Sequence, residues 1–342
     1  MRDRLNAKIE ELLVPFIVNK SEHICIIDPP GHPNVGDSAI LLGELNFLKR
    51  KFPRAKLSFY DVHSYSPKAD SFIEEATLLL LHGGGNFGDI WPHHQDLRMR
   101  ILERFPHKPI IQLPQSIYFG DEANLKATAA KIKTQSGFTL FVRDLNSLEF
   151  ARRMFECEVI LAPDMAFAMP SIRRKSPTVD CLCLLRTDKE VAIDHEIIMN
   201  VLRAANKSFE VCDWITESRH FSRHLVARLD TKLNNLTRRY PALTAPFRSI
   251  TMRLRQHYAT QRLVDGLELL SKGAIVVTDR LHAHILCCLL DIPHFVFDSL
   301  GWKISAFHAT WTQESHNTRL IMSPEDFSSQ WDEVFSETDS EC

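Results

Sequence analysis

Several short polar runs in this chain follow directly on apolar runs, which is where a parallel sheet presents side chains to a ligand. The most informative is Val277-Thr-Asp279-Arg280-Leu281-His282-Ala-His284. Its pattern puts Arg280 and His282 at a strand-to-helix transition, where backbone N–H groups and the helix dipole favour an anion. A histidine in that position can exchange protons with a bound ligand. His284 and Cys288, four apart on the following helix, have a spacing that permits metal ligation. No further ligand stands at a suitable spacing, so a packed core pair and no metal are expected.

A second group of such runs lies in the first half of the chain. Asn34-Val-Gly-Asp37 separates a strand from a helix, with Asn34 and Asp37 offering polar atoms at the strand's C-terminal end; Asp37 alone reads equally well as a helix cap. His82-Gly-Gly-Gly-Asn86-Phe-Gly-Asp89 packs four glycines into six residues of a chain that has only 12. The polar His82, Asn86 and Asp89 between them suit a sugar or phosphate approaching exposed amides, whereas a tight structural turn would need only the glycines. Pro114-Gln115-Ser116 and Ala162-Pro163-Asp164 close two further strands on the same rim. Arg143, also at a strand end, can aim its planar fork at a phosphate or carboxylate, or it can pair with Asp144 to fix the helix starting near Ser147.

These residues need a frame to position them. Apolar runs at 24–27, 57–62, 77–81, 109–113, 139–142 and 159–161 read as strands, with helical patterns at 39–52, 96–105, 123–134 and 145–155. A helix over 4–17 opens the chain, and Asp37 or Ser38 is the expected N-cap of the helix over 39–52. A second alternation has strands at 180–185, 209–211, 274–278 and 295–297. The fold class is therefore α/β, with two Rossmann-like domains facing a central cleft in a GT-B-like arrangement. The Pro- and charge-rich stretch 168–177 sets the boundary, giving domains at 1–172 and 173–335 and a disordered tail at 336–342.

Composition agrees with a two-domain globular protein: 342 residues, 44% hydrophobic and 25% charged. A net charge of −2 gives no reason to expect nucleic acid as a partner. No apolar run is long enough to cross a membrane, and the first residues lack the core of a signal peptide. Eight cysteines without a CxxC pair, several within apolar segments, fit free thiols and a cytoplasmic location.

Taken together, the motifs resemble the polysaccharide pyruvyltransferase family. The matching pieces are Asn34-x-Gly-Asp37, His82-Gly-Gly-Gly-Asn86-Phe-Gly-Asp89, Val142-Arg143-Asp144-x-x-Ser147, Pro163-Asp164-x-Ala166-Phe167 and Asp279-Arg280-Leu281-His282-Ala-His284. They occur in the family's order between residues 34 and 284. The segments 82–91 and 113–117 resemble the subgroup of bacterial exopolysaccharide and biofilm-matrix synthesis. This resemblance implies phosphoenolpyruvate (PEP) as co-substrate and no cofactor. It implies a pyruvate ketal on a sugar of an exopolysaccharide or of its lipid-linked oligosaccharide precursor. It also implies that Arg280 and Leu281 hold PEP and that His282 is the acid/base group. Arg186 is the expected second arginine, with Arg143 behind it. Asp89 is expected on the catalytic or acceptor side, and Asn34, Asp37, His82, Asn86 and Gln115 around the acceptor. The N-terminal domain would then be the acceptor side and the C-terminal domain the PEP side. A nucleotide-sugar glycosyltransferase on the same frame and a non-catalytic subunit of a polysaccharide assembly complex are the rival readings.

One segment is untouched by that account. Residues 217–262 hold ten Lys/Arg against two Asp/Glu, a balance of +8 in a chain whose remainder is −10. Apolar residues recur there at helical spacing, and Pro241 and Pro246 are expected to separate two helices of the C-terminal domain. Such a hairpin is either a solvated cover for the core or a basic amphipathic surface for the anionic inner face of a membrane.

Overall fold

The computed structural model describes residues 1–31, 34–187, 191, 194–204, 207–214, 221–298 and 303–339. The chain forms two units. The N-terminal unit comprises Arg2–Pro170 together with Glu217–Leu263, and the C-terminal unit Ser171–Thr216 together with Val264–Cys342.

In the N-terminal unit the order is α1 (Arg2–Ile17), β1 (His23–Ile27), α2 (Val35–Lys51), β2 (Lys56–Tyr60), α3 (Asp70–Glu74), β3 (Leu78–Leu81) and β4 (Gly84–Gly88). It continues through α4 (Pro92–Arg104), β5 (Ile110–Tyr118), α5 (Glu122–Lys133), β6 (Phe138–Val142), α6 (Leu145–Met154) and β7 (Glu158–Leu161). The sheet runs β2-β1-β3-β5-β6-β7, with β4 beside the far half of β5, and the paired strands are parallel. Strands covered on both faces need apolar side chains in both directions, which is why Leu78–Leu81 and Phe138–Val142 are buried throughout.

Beyond it follow β8 (Val179–Leu184), α7 (His195–Ala204), β9 (Phe209–Cys212), α8 (Phe221–Arg239), α9 (Thr244–Ser271), β10 (Gly273–Thr278), α10 (Leu281–Leu290), β11 (His294–Phe297), α11 (Lys303–Phe307), β12 (Thr318–Ile321) and α12 (Pro324–Asp339). The C-terminal unit's sheet is β12-β11-β10-β8-β9, again parallel. Phe295, Phe297, Phe327 and Trp331 pack its core, with ring centroids 5.2–5.6 Å apart. Two Rossmann-like α/β units are therefore present, as the alternating pattern predicts. The described cysteines are free.

Four local expectations change. Helix α2 starts earlier than expected and is capped by Asn34, whose side chain accepts from the Gly36 N–H, so Asp37 lies in its first turn. The glycine run forms a strand: a Cβ on Gly88 would sit 1.7 Å from the Tyr118 carbonyl oxygen, so only glycine lets β4 lie this close to β5. Helix α12 continues to Asp339, into the segment expected to be disordered. The basic hairpin belongs to the N-terminal unit. On the inward side of α9, Arg255 pairs with Asp61 and donates to the Pro29 carbonyl at 3.0 Å, while Ser66 donates to the Arg238 carbonyl at 3.1 Å. Pro246 is taken into the first turn of α9, where a missing N–H costs nothing, and does not break the helix.

Candidate functional site

In the C-terminal unit, strand register brings the PEP candidates together. Thr278 of β10 is in register with Leu184 of β8, which is in register with Cys212 of β9. Arg280, Arg186 and Asp213 therefore emerge from adjacent strand ends. Arg280 is the N-cap of α10 but contributes no side-chain cap, and the first turn of the helix has the dipole that favours an anion. Its guanidinium is instead held by Asp213, with Nε–Oδ1 and Nη2–Oδ2 both at 2.6 Å. Asp213 also accepts from the Thr187 N–H, the Thr187 hydroxyl and the Trp214 N–H. Leu281 is buried, and His282 is half-buried in the first turn of α10.

The neighbouring Asp279 is fully buried and works backwards into the same rim. It accepts from the Arg186 N–H at 2.8 Å and meets His195 Nε2 at 3.2 Å. Burial raises the carboxyl's pKa, while the Arg186 amide and His195 oppose that shift. A half-buried imidazole oriented by a buried carboxylate thus stands beside the Arg280–His282 segment, and nothing in the local sequence marks His195.

Deeper along α10, His284 Nδ1 and His294 Nε2 lie 2.7 Å apart, and His284 Nε2 is 2.8 Å from the Thr312 hydroxyl. His294 Nδ1 donates to the Ile292 carbonyl at 2.8 Å, which fixes its tautomer. His294 also supplies the third donor missing from the sequence pattern: its nitrogen, a His284 nitrogen and Cys288 Sγ all lie within 4.8 Å of one another. The short His–His contact is a hydrogen bond, and burial raises the Cys288 thiol to about 11.

The acceptor candidates belong to the N-terminal unit. His82, at the end of β3, is only 3% exposed. Its Nδ1 is 2.9 Å from Glu44 of α2, which also accepts from the Gly83 N–H at 3.0 Å. His82 Nε2 meets no hydrogen-bond partner among the described residues. Burial alone would lower the His82 pKa, but Glu44, with Asp37 and Asp28 behind it, leaves it raised. Asn86 and Gln115 are joined to this site: Gln115 donates to the His82 carbonyl at 3.0 Å and to Asn86 Oδ1 at 2.9 Å. Arg98 of α4, buried over the Phe87 ring, donates to Asn86 Oδ1 at 2.7 Å and to Gln112 Oε1 at 2.8 Å. With amides rather than a carboxylate in contact, its pKa falls by burial to about 10. A second imidazole–carboxylate pair, His94 Nδ1 to Asp28 Oδ2 at 2.6 Å, stands at the end of β1, where Asp28 takes a left-handed φ of 65°.

Two expected site residues make structural contacts. Arg143 is buried and bound to Asp164 at 2.6 Å and to the Ser116 hydroxyl at 2.9 Å, while Asp144 caps α6 through the Ser147 N–H. This ion pair joins the ends of β6 and β7, and Ser116 of β5 is tied to it through its hydroxyl. Asp89 accepts from the Gly120 and Asp121 N–H groups at 2.8–3.0 Å and so braces the entry to α5. Of the remaining expected residues, Asn34 caps α2, and Asp37 lies near Gly84, 3.6 Å from where a Cβ would be.

The family model for polysaccharide pyruvyl transferase matches residues 34–300, spanning the rims of both sheets. The chain belongs to the polysaccharide pyruvyl transferase family. It is 31% identical over 320 residues to the Bacillus subtilis protein EpsO, named as a pyruvyl transferase, covering 93% of each chain. It is 32% identical over 303 residues to pyruvyl transferase 1 of Schizosaccharomyces pombe, covering 84% of this chain and 69% of that protein. A crystal structure of an uncharacterized Klebsiella pneumoniae protein shares the fold, with a TM-score of 0.55, 19% identity, and coverage of 93% of this chain and 99% of the other. Membership of this family makes the protein an enzyme, a transferase, and His195, Asp213, Asp279 and Glu44 join its candidate site residues. Glu44 left one signal in the sequence, an acidic residue on the apolar face of α2 between Ile40, Leu41, Leu45 and Leu48.

Proposed function

We propose that the protein transfers pyruvate from PEP to two hydroxyls of one sugar, forming a cyclic ketal and releasing phosphate. The observation that carries this reading is the rim where Arg280, Leu281 and His282 open α10, in a chain of the pyruvyl transferase family. The amides of that first turn and the two arginines suit a small polyanion, and Asp213 fixes the plane of the Arg280 fork.

In this scheme His282, assisted by the neighbouring His195–Asp279 pair, delivers a proton to the PEP methylene carbon, which becomes a methyl group. The first sugar hydroxyl bonds to the central carbon and gives up its proton. The bond from that carbon to the phosphate oxygen breaks, the second hydroxyl bonds in its place, and its proton leaves with phosphate. Within the N-terminal unit taken by itself, His82, with Nδ1 directed at Glu44, is suited to accept a proton at Nε2, and Asn86 and Gln115 are suited to hold a sugar hydroxyl. The proposed acceptor is a sugar of an exopolysaccharide or its lipid-linked precursor, and the proposed location is the cytoplasmic side of the membrane.

The test supplies purified protein with PEP and candidate glycans, reading phosphate release and the mass of a pyruvate ketal. Ketal formation that disappears in His282→Ala, with PEP binding retained, supports the reading. Transfer from a UDP-sugar with none from PEP would replace it by a glycosyltransferase.

A further inference from the structure

Among its described side chains, helix α8, together with the Tyr240 that follows it, is inverted in sense. Asn234 and Thr237 are buried, each 5% exposed, whereas Leu229, Leu236 and Tyr240 are 43%, 37% and 50% exposed. Leu229, half-buried Leu233, Leu236 and Tyr240 follow one another at spacings of four, three and four, so they form one stripe about 16 Å long. One position over, exposed Arg228, Lys232 and Arg239 form a parallel cationic stripe. Helix α9 repeats the division. Thr251, Arg255, Ala259 and Arg262 face inward, while Ile250, Arg253 and His257 are exposed. The inward arginines tie the hairpin to the unit through Asp61 and the Gly31 carbonyl. Arg219 lies outside the described residues, as do the side chains of Phe221, Arg223, Leu225 and Arg248.

We propose that this outward face docks onto an anionic lipid bilayer, with the leucines and Tyr240 entering the headgroup boundary and the cations meeting lipid phosphates. A solvated cover would place its leucines inward and its asparagine and threonine outward. An apolar row bordered by cations is the pattern of helices that lie in the interface plane. Tyr240, with the Arg239 guanidinium 5.5 Å from its ring centre, is an amphipathic side chain suited to that depth. No helix among the described residues is long and apolar enough to cross the membrane, so the contact is peripheral. The surface is separate from the proposed reaction, and its test reads binding rather than transfer.

The experiment is flotation of the full chain with phosphatidylglycerol-containing or pure phosphatidylcholine vesicles at low and high salt. Two variants accompany it, Arg228/Lys232/Arg239→Glu and Leu229/Leu236→Ser, each checked for wild-type secondary structure and melting. Wild type should float with the anionic vesicles at low salt. Three near-surface cations correspond to a loss on the order of a hundredfold in partitioning when removed, and their reversal gives at least that. The serine variant should also lose binding at unchanged net charge, and added salt should weaken what remains. Failure of folded wild type to float with anionic vesicles at low salt would overturn the proposal, as would equal flotation of the charge-reversed variant. Wild-type dimers that dissociate in the serine variant, without vesicle binding, would assign the stripe to a second copy of the chain instead.

Discussion

Asp213 meets Arg280 along one edge of the guanidinium, Nε and Nη2 each lying 2.6 Å from a carboxylate oxygen, across 67 residues of sequence. Both groups are nearly buried, so neither can lose the other without leaving an uncompensated charge. Asp213→Asn keeps the shape and removes the charge. It should weaken PEP binding by roughly tenfold or more, the scale of one charge-assisted contact. Arg280→Lys should do the same, because an ammonium has no planar fork. Calorimetry with PEP is the measurement, and unchanged affinity in both variants would move the donor site away from α10.

The raised pKa of His82 depends on Glu44. With glutamine in its place the hydrogen bond to Nδ1 can persist, but burial is left to lower the pKa. If His82 accepts the hydroxyl proton it must be neutral, so the acidic limb of the kcat/KM profile should move to lower pH in Glu44→Gln. A profile that keeps its acidic limb in place would remove His82 from the base role.

Burial holds His284 well below its ordinary pKa and His294 at about 4, and it lowers His308 as well. The folded protein therefore binds fewer protons than the unfolded chain, whose histidines titrate near 6.5. Stability from this cluster is undiminished above about pH 6.5 and is lost as pH falls towards 4, with about 3 kcal/mol from His294. Melting temperatures between pH 7 and 4.5 should fall less steeply in His294→Gln than in wild type. Parallel slopes would mean that the cluster does not govern the acid response.

For Arg143 the expectation is structural. Arg143→Met leaves Asp164 buried without its counter-charge and should cost about 3–5 kcal/mol of stability. Arg143→Met with Asp164→Leu should recover much of that loss. Denaturant titration reads both, and a stable single variant with impaired PEP binding would restore Arg143 to the donor site.

The fold was legible where burial writes long apolar runs, as at Ile24–Ile27 and Leu78–Leu81. It was not legible at β4, because Gly84-Gly-Asn-Phe-Gly88 has one large apolar side chain and owes its extended path to the closeness of β5. Arg280 and His282 could be singled out because strand, cap and helix are contiguous in the chain. Their surroundings could not: Asp213 reaches Arg280 through register between β8, β9 and β10, and His195, at the start of α7, meets Asp279, at separations of 67 and 84 residues. Arg143 has a partner hidden for the same reason. Its nearest acid in sequence is Asp144, but β7 brings Asp164 to the guanidinium.

The Asp61–Arg255 pair has a consequence during synthesis. The chain leaves the N-terminal unit at Pro170 and returns to it only at Glu217. Asp61 is thus made 194 residues before the guanidinium that compensates its burial. At about 5–20 residues per second, the 93 residues between Pro170 and Leu263 take roughly 5–20 s to add. Through that interval the first sheet is complete in sequence, yet the Asp61 carboxylate must stay hydrated or remain unpaired. The unit closes only when α9 arrives, so early release or a ribosomal pause before Arg255 leaves an open intermediate. Nascent chains arrested with residues 1–170 clear of the tunnel should be cut by protease at the Asp61 end of the sheet, and those with residues 1–263 clear should resist.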